Sequence, residues 1–404
     1  MPFPLYLLAM AVFAMGTSEF MLAGLLPDIA DDLDVTVGAA GVLTSAFAVG
    51  MVVGAPLVAA LARRWPRRAS LLGFVAAFAA AHALGAVTTS FPVLLGTRIV
   101  AALANAGFLA VALTAAAALV PPDKKGRALA VLLSGTTVAT VVGVPGGALL
   151  GTTLGWRAAF WAVAALCLPA ALGVLKGIPA GRAERQEAAG GPDLRTEPGG
   201  PGLRTELAQL TGRRLILVML LGALVNAATF GSFTFLAPVV TDTAGLGDLW
   251  IPVALVIFGA GSLAGVTAAG RLSDRRPGAV IAVGGPLLLI GWPLLALLAE
   301  RPVALFPLVF VQGALSFALG STLIARVLYE AGGAPTMAGS YATAAFNIGA
   351  VIGPLVAAAT LGTAAGDLGP LWASALLVAV ALLIALRFRG TLTGDEPAAA
   401  EVRV

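Results

Sequence analysis

The chain alternates long apolar segments with short polar turns. Twelve segments contain the ~20 mainly apolar residues that a helix needs to cross the hydrocarbon core of a bilayer. Each is predicted to be a helix, because lipid offers the backbone no hydrogen-bond partner and a helix satisfies its own polar groups. The predicted spans are residues 4–27, 38–61, 69–88, 91–119, 127–152, 157–178, 214–240, 250–270, 279–299, 302–328, 336–362 and 370–388.

A polar segment divides these spans into two sets of six. Between Gly177 and Gly212 the sequence is rich in Gly, Pro, Arg and Glu, and it has too few apolar residues to fold alone. We therefore predict an N-terminal six-helix bundle over 1–178, a cytoplasmic linker over 179–212, a C-terminal six-helix bundle over 213–389 and a cytoplasmic tail over 390–404. The fold class is an all-α integral membrane protein with twelve transmembrane helices in two six-helix bundles, an organisation typical of transporters.

Composition narrows the possible functions. Of the 404 residues, 59% are hydrophobic and only 11% are charged, whereas soluble domains carry about 25% charged residues. The single cysteine excludes an intrachain disulfide, and the single histidine excludes most metal sites. The sequence lacks an HExxH motif, a Gly-x-Ser-x-Gly motif and a nucleotide-binding loop. An intramembrane enzyme is therefore a remote alternative, and neither a cofactor nor nucleic-acid binding is expected.

Basic residues are concentrated on one side of the predicted membrane. Of the 24 Lys and Arg residues, all but Arg98, Arg157 and Arg301 lie on the side that carries both termini and the linker. Cytoplasmic loops carry such an excess of positive charge. The sequence therefore predicts a multi-pass membrane protein with both termini in the cytoplasm.

One acid lies deep in the first span. Glu19 follows Gly16-Thr-Ser in the middle of the apolar segment, and ionisable residues at this depth usually mark an ion or substrate path. Arg98 lies in the fourth span and, because a buried Arg stays charged, it needs a carboxylate, carbonyl groups or water nearby. We expect Glu19 and Arg98 to be coupled in proton transfer. The alternatives are that Glu19 is hydrogen-bonded between helices and that Arg98 is a structural brace.

Polar and aromatic residues inside other spans are candidates for a substrate cavity. Each polar one can equally join two helices, and each aromatic one can equally face lipid. His82, amid alanines in the third span, is interpreted as a neutral residue with its hydrogen bonds satisfied. Together with Glu19, the substrate-binding candidates are Asn105, Asn226, Phe230, Phe233, Phe346 and Asn347.

Two further motifs concern helix packing and turns. In the fifth span, Gly143, Gly147 and Gly151 recur every four residues and make a stripe without side chains, against which another helix can pack closely. Pro145 within that stripe permits a kink. The eighth span offers a similar stripe in Gly261 and Gly265. The turn after it reads Gly270-Arg-Leu-Ser-Asp-Arg, and a second basic turn, LARRWPRR, follows the second span.

These motifs resemble those of the major facilitator superfamily, and in particular its drug and proton antiporters. Gly270, Arg271, Asp274 and Arg275 match a cytoplasmic motif that braces the two halves. The first-half copy departs from it, with Arg63 in place of the usual Asp and Pro66 in place of Gly. The run GVPGGALLG, which contains Gly143, Pro145, Gly147 and Gly151, is similar to the antiporter motif, with one residue inserted. In the family, the fifth and eighth helices form part of the seal toward the outside.

A finer resemblance extends over almost the whole chain. The runs GTSEFMLAGLLPDIADDL, TSAFAVGMVVGAP and RIVAALANAGFLAVAL are similar to those of the chloramphenicol exporters of high-GC Gram-positive bacteria. This implies a monomeric, proton-coupled efflux transporter of the bacterial cell membrane for a small hydrophobic or amphipathic drug, first of all chloramphenicol. It would work by alternating access, driven by the proton gradient. The alternative is an exporter of a sugar, a nucleoside or another small metabolite.

Overall fold

The computed structural model describes residues 2–61, 66–121, 125–178, 208–273, 277–333 and 337–388. Within these ranges twelve helices are long and apolar enough to cross a membrane, which confirms the predicted number of spans. We number them α1 to α12 in chain order. Their bounds are Phe3–Phe20 (α1), Val37–Leu61 (α2), Arg67–Val87 (α3), Phe91–Ala118 (α4), Lys125–Val138 and Val144–Leu154 (the two parts of α5), Trp156–Gly177 (α6), Arg213–Thr234 (α7), Trp250–Ser273 (α8), Pro277–Leu298 (α9), Pro302–Glu330 (α10), Ala338–Leu361 (α11) and Gly369–Arg387 (α12).

Two helices end earlier than predicted, and a proline follows each break. After α1 the chain forms a 3₁₀ turn, Met21–Gly24, and a short helix, Leu26–Asp32, with Pro27 in its first turn. After α7 it forms a short helix, Leu236–Pro238, and a π-helical turn. Proline has no N–H, so Pro238 cannot bond the carbonyl group of Thr234 four residues before it, and the regular ladder stops there.

Each half of the chain has its own hydrophobic core. One cluster of buried side chains, which includes Phe78 and Phe108, comes almost entirely from α1 to α6. The other, which includes Trp292 and Leu305, comes almost entirely from α7 to α12. The predicted arrangement in two six-helix bundles is therefore confirmed. The exact bundle limits stay a prediction, since most of the linker and the whole tail lie outside the described residues.

The two halves pack together toward one end of the molecule. We call the end where α1 begins and α6 ends the linker end, and the opposite end the far end. In the middle of α2, Ser45 donates its hydroxyl hydrogen to the carbonyl oxygen of Val351 in α11 at 2.8 Å. Nearer the far end, Gly38 lies beside Ala358 in the same helix. These contacts close the far end of the space between the halves.

Candidate functional site at the broken end of α1

Glu19 lies where α1 ends, in the region where the two halves meet. The preceding residues 14–18 are buried inside the N-terminal bundle, whereas Glu19 and Phe20 are partly exposed. The N–H of Met21 bonds the carbonyl oxygen of Thr17, and the chain then tightens into the 3₁₀ turn. Because the last carbonyl groups of a helix lack a partner within it, the carbonyl group of Ser18 is available to another side chain.

Arg98 supplies that partner from α4. Its guanidinium group is fully buried and donates through Nη2 to the carbonyl oxygen of Ser18 at 2.8 Å. It also donates through Nη1 to the hydroxyl oxygen of Ser18 at 2.8 Å. The central guanidinium carbon lies 4.5 Å from the ring centroid of Phe47 in α2, a favourable cation–π arrangement. Arg98 therefore stabilises the broken end of α1, one residue before Glu19.

His82 of α3 completes this buried polar network. Its Nε2 lies 2.6 Å from the hydroxyl oxygen of Ser18, and its Nδ1 lies 2.8 Å from the carbonyl oxygen of Phe78. Both ring nitrogens thus have partners, as expected for a satisfied histidine. The rings of Phe78 and Phe160 enclose the imidazole, with centroids 4.3 and 5.7 Å away. Three helices, α1, α3 and α4, therefore meet through the side chain of Ser18.

Arg98 and Glu19 lie near each other, but the structure shows no direct bond between these two described residues, and their coupling in proton transfer stays a prediction. In the part of the chain that the structure describes, Arg98 forms no ion pair with Glu19, although the two charges are near enough to interact. The guanidinium Nε is buried and has no hydrogen-bond partner there. Sequence reasoning missed Ser18 altogether. Its only sequence signal was its position beside Glu19, because a serine inside a span is usually unremarkable.

Phe20, beside Glu19, bridges the two halves. Its ring centroid lies 5.5 Å from that of Phe230 and 6.4 Å from that of Phe233, both in α7. Phe233 in turn lies 4.8 Å from Phe258 in α8. The sequence identified Phe230 and Phe233 as candidates, and the structure brings both next to Glu19 through Phe20. Phe20 itself was missed, because nothing in the sequence indicated which side of α1 faces the C-terminal half.

The three candidate asparagines lie in different surroundings. Asn226 donates from Nδ2 to the backbone carbonyl oxygen of Phe346 at 2.6 Å and so joins α7 to α11. Asn347 bonds the carbonyl oxygen of Thr343 in its own helix at 3.0 Å. Asn105 is buried, and its Oδ1 has no hydrogen-bond partner among the described residues. Of the three, Asn105 therefore keeps a buried acceptor unoccupied.

The Phe346 ring is placed within the C-terminal bundle. A Cβ added to Gly222 in α7 would lie 2.9 Å from this ring, and one added to Gly320 in α10 would lie 3.4 Å from it. Both glycines thus provide room for the aromatic side chain. Phe346 remains partly exposed, and its role in substrate binding stays a prediction.

The glycine stripe of α5 packs against α1 rather than against α8. A side chain at Gly143 would collide with Thr17, one at Gly147 would come within 3.3 Å of Met21, and one at Gly151 would collide with Leu25. The broken end of α1 thus packs against this glycine stripe. A π-helical turn, Ala139–Gly143, ends two residues before Pro145, which the sequence suggested as a possible kink. Proline lacks the N–H for a regular bond, so the ladder shifts to a five-residue spacing there.

The glycines of α8 also have a different partner from the expected one. Gly261 and Gly265 lie against the backbone of Phe310 and Ala314 in α10. Only the neighbouring Gly259 meets α5, where an added Cβ would lie 3.0 Å from the carbonyl oxygen of Thr140. The α5 and α8 helices therefore do contact each other, but not through matching glycine stripes.

The cytoplasmic motif is only partly described. Gly270 and Arg271 belong to the last turn of α8, which ends at Ser273. Asp274 and Arg275 lie outside the described residues, as does the side chain of Arg271. The bracing role that the resemblance implies for these four residues therefore stays a prediction.

Acidic residues surround the far end of the interface. Asp28 lies in the short helix after α1, and Asp248 lies just before α8 in the other half. Partial burial, together with the carboxylates of Asp248 and Asp31, raises the pKa of Asp28 above its usual value. The contact between the halves at this end therefore brings like charges toward one another.

An ion pair fixes the far end of the N-terminal bundle. Asp32 binds the guanidinium group of Arg157 at the start of α6 and accepts a hydrogen bond of 3.3 Å from the indole of Trp156. Arg157 also donates to the carbonyl oxygen of Thr88 at 3.1 Å. The sequence suggested only an interfacial aromatic belt at this position. The structure adds a clamp that holds the short helix after α1 against α3 and α6.

Comparison with known proteins agrees with this architecture. The family model of the Major Facilitator Superfamily matches residues 8–343. A chloramphenicol resistance protein of Streptomyces lividans is 78% identical over 398 residues, covering 98% of this chain and 99% of that protein. The inner membrane transport protein YdhP of Escherichia coli K12 is 32% identical over 366 residues, 90% of each chain. A bacterial homologue of the lysosomal transporter Spinster, solved facing inward and occupied, shares the fold with a TM-score of 0.73 at 16% identity, over 95% of each chain. This chain thus belongs to the Major Facilitator Superfamily and is a transporter, not an enzyme.

Proposed function

We propose that this transporter exports chloramphenicol, or a small amphipathic drug of similar size, in exchange for protons. The observation that carries the proposal is the 78% identity to a chloramphenicol resistance protein across almost the full length of both chains. The site adds physical support, because the ring of Phe20 packs with the buried rings of Phe230 and Phe233 beside a single carboxyl group. Such a mixture of apolar wall and few polar groups suits a small drug.

Glu19 carries the proton in this proposal. An ionised carboxylate at membrane depth costs several kcal/mol unless a partner or water compensates it. Protonated Glu19 allows the transporter to change state, and release of that proton on the cytoplasmic side resets it. Phe346, Asn105 and Asn347 supply further contacts to the drug, while Asn226 mainly joins α7 to α11. Energy comes from the proton gradient, and the protein acts as a monomer without a cofactor.

The described contacts support an inward-facing state in this proposal. If the termini are cytoplasmic, as the distribution of Lys and Arg favours, the far end faces the outside. Contacts such as that of Ser45 with Val351 then close the transporter to the outside. In this proposal, drug is received from the cytoplasm in this state. The turn with Gly270, Arg271, Asp274 and Arg275 braces the linker end after the halves rock.

Uptake of labelled chloramphenicol into inverted membrane vesicles tests the proposal. Vesicles with an imposed proton gradient should accumulate the drug, and a protonophore should abolish the accumulation. Glu19→Gln should lower the gradient-dependent uptake by at least about tenfold, which corresponds to ~1.4 kcal/mol. Asp34→Asn is the matched control. It also removes one carboxylate, but from an exposed turn with positive φ that asparagine tolerates.

Two results would contradict parts of the proposal separately. Wild-type vesicles that ignore chloramphenicol but accumulate a sugar or nucleoside would refute the substrate assignment. Full gradient-driven uptake by the Glu19→Gln variant would refute the role of Glu19 as proton carrier. Uptake that is insensitive to the protonophore would refute proton coupling itself.

A further inference from the structure

His82 is a buried titratable residue that the proposed drug and proton exchange does not use. It lies two hydrogen bonds away from Arg98, with Ser18 between them. The groups that face its ring are Ser18 from α1, Phe78 from its own helix, Arg98 from α4 and the apolar ring of Phe160 from α6. Among the described residues, Arg98 is thus the charged group that acts on the imidazole.

The directions of the hydrogen bonds follow from the chemistry of the groups. The carbonyl oxygen of Phe78 can only accept, so Nδ1 of His82 carries a hydrogen. In a neutral imidazole the other nitrogen, Nε2, is then an acceptor, and the hydroxyl group of Ser18 donates to it. The lone pairs of that hydroxyl oxygen therefore point away from His82 and receive the Nη1–H of Arg98.

A charged imidazole would not fit this arrangement. Both His82 and Arg98 would then donate to the same hydroxyl oxygen, and the hydroxyl hydrogen of Ser18 would need a new acceptor in an apolar site. Two cations would also share one oxygen without a carboxylate bonded to either. Neutral His82 thus orients Ser18 as an acceptor for Arg98.

Among the described residues, two of the three guanidinium nitrogens of Arg98 form hydrogen bonds. Nη1 and Nη2 bind Ser18, whereas the buried Nε has no partner among the described residues. Glu19 follows Ser18 in the chain, and its carboxyl group is the other possible partner for the guanidinium group of Arg98. Because Ser18 and Glu19 are adjacent in the chain, a shift of the broken end of α1 relative to α4 would move both of them with respect to Arg98.

We propose that Ser18 and Glu19 compete for Arg98, and that His82 sets this competition by orienting the Ser18 hydroxyl group. In the state closed at the far end, Ser18 holds the guanidinium group and Glu19 keeps its proton, since a carboxylate without a cation partner is costly at this depth. When α1 shifts while the far end is still closed, Arg98 pairs with Glu19 and the proton leaves on the cytoplasmic side. This rests on the proposed role of Glu19. Ser18 and His82 are positioning residues that touch neither drug nor transferred proton.

Chemical labelling of Glu19 tests the competition without measuring transport. Dicyclohexylcarbodiimide modifies protonated carboxyl groups in apolar surroundings, and mass spectrometry can quantify the modified peptide. The full-length protein in lipid nanodiscs would be labelled across about pH 5 to pH 9. In Ser18→Ala and His82→Leu, Arg98 is released to Glu19, so the midpoint of labelling should move to lower pH by about one unit, a tenfold change in protonated fraction.

Two variants serve as controls. His82→Gln keeps an amide oxygen near the position of Nε2 and should bring the labelling curve back toward that of the wild type. Thr97→Ala removes another buried hydroxyl group, next to Arg98, which bonds the carbonyl oxygen of Leu94 in its own helix. It should leave the curve unchanged. If His82→Leu fails to fold, the labelling curve of Ser18→Ala alone tests the proposal.

The proposal is overturned if the Ser18→Ala curve coincides with those of the wild type and Thr97→Ala. It is also overturned if wild-type Glu19 resists labelling over the whole pH range, because the proposal requires a protonated Glu19 in this state. Retained proton-driven uptake in Glu19→Gln is a separate result. It would refute Glu19 as the coupling site, while the labelling curves would still report whether Arg98 changes partner.

Discussion

The ring of Phe20 lies 5.5 Å from that of Phe230, and this contact joins the residue next to Glu19 to the opposite half of the transporter. A change at the carboxyl group of Glu19 is therefore one residue away from the contact between the bundles. Under the proposed function, a substrate that inserts between the two rings would separate the halves one residue away from the carboxyl group that we propose as the proton carrier.

We predict that Phe20 and Phe230 act together in drug binding. Phe20→Leu and Phe230→Leu should each weaken chloramphenicol binding, and the double variant should lose less than the sum of the two. The coupling energy should be about 0.5–1.5 kcal/mol, the value of an aromatic pair beyond its buried area. Equilibrium binding of labelled drug to the purified protein would measure it.

A control separates this effect from a general loss of aromatic residues. Phe310 in α10 is 39% exposed, and its ring takes no part in the contact of Phe20 with Phe230 and Phe233. Phe310→Leu should leave the dissociation constant unchanged. Strictly additive effects of the Phe20 and Phe230 variants would contradict the shared contact.

The sequence was sufficient to predict which residues belong to the membrane. Span number, the depth of Glu19 and the break before Pro145 all follow from local chemistry, namely apolar length, ionisation cost and the missing N–H of proline. Local chemistry does not predict which helix packs against each helix face. Spacing places Gly143, Gly147 and Gly151 on one face of α5, but only the packing of the whole bundle decides whether that face meets α1 or α8.

The same limit applies to Arg98. Its charge and depth require a partner, and the sequence offered Glu19 as the obvious carboxylate. The partner in the structure is the side chain and carbonyl group of Ser18. That carbonyl group is free only because α1 breaks after Phe20, so the break had to be known before the partner could be identified.

We predict that Gly143→Ala lowers stability because the new Cβ would collide with Thr17. Forcing extra volume into a packed interface typically costs about 1–3 kcal/mol, so the midpoint of thermal unfolding in detergent should fall. Gly146→Ala is the matched control on the same helix, since a Cβ there meets nothing within 4 Å. It should be neutral or slightly stabilising, because alanine favours helix over glycine. Equal unfolding midpoints for the two variants would contradict the close packing of α5 on α1.

We predict that the closed far end opens as pH rises through the pKa of Asp28. This pKa is raised by burial and by the carboxylates of Asp248 and Asp31, so the closed state binds the proton more tightly than an open state does. Closure is therefore favoured at low pH and weakened once Asp28 ionises. Asp28→Asn should remove this part of the pH dependence and keep the far end closed at higher pH.

Spin-label distances can follow this motion. Val87 at the far end of α3 and Val303 at the start of α10 are 60% and 90% exposed, so labels there should not disturb packing. With Cys167 replaced by serine, the distance between labels at 87 and 303 should lengthen with rising pH in the otherwise wild-type protein. A distance distribution that depends on pH equally in the Asp28→Asn variant would assign the effect to another group.

We predict that Asn226 is needed mainly for folding and Asn347 mainly for contacts within the cavity. Asn226→Ala deletes the donor to the carbonyl oxygen of Phe346 and leaves that acceptor without its partner between α7 and α11. Such a loss costs about 1–3 kcal/mol when the group is buried. Asn347→Ala removes only a bond within its own helix, so its effect on unfolding should stay within about 0.5 kcal/mol.

Unfolding midpoints and drug dissociation constants, measured on the same preparations, distinguish the two roles. Asn226→Ala should unfold earlier yet bind chloramphenicol with nearly unchanged affinity below its unfolding temperature. The opposite outcome, a stable protein with weakened binding, would show that the amide of Asn226 leaves the carbonyl group of Phe346 and contacts the drug instead. Asn226 bonds the backbone of Phe346, and Asn347 follows Phe346 in the chain. Because both asparagines are so near the same residue, only this paired comparison separates a helix brace from a substrate contact.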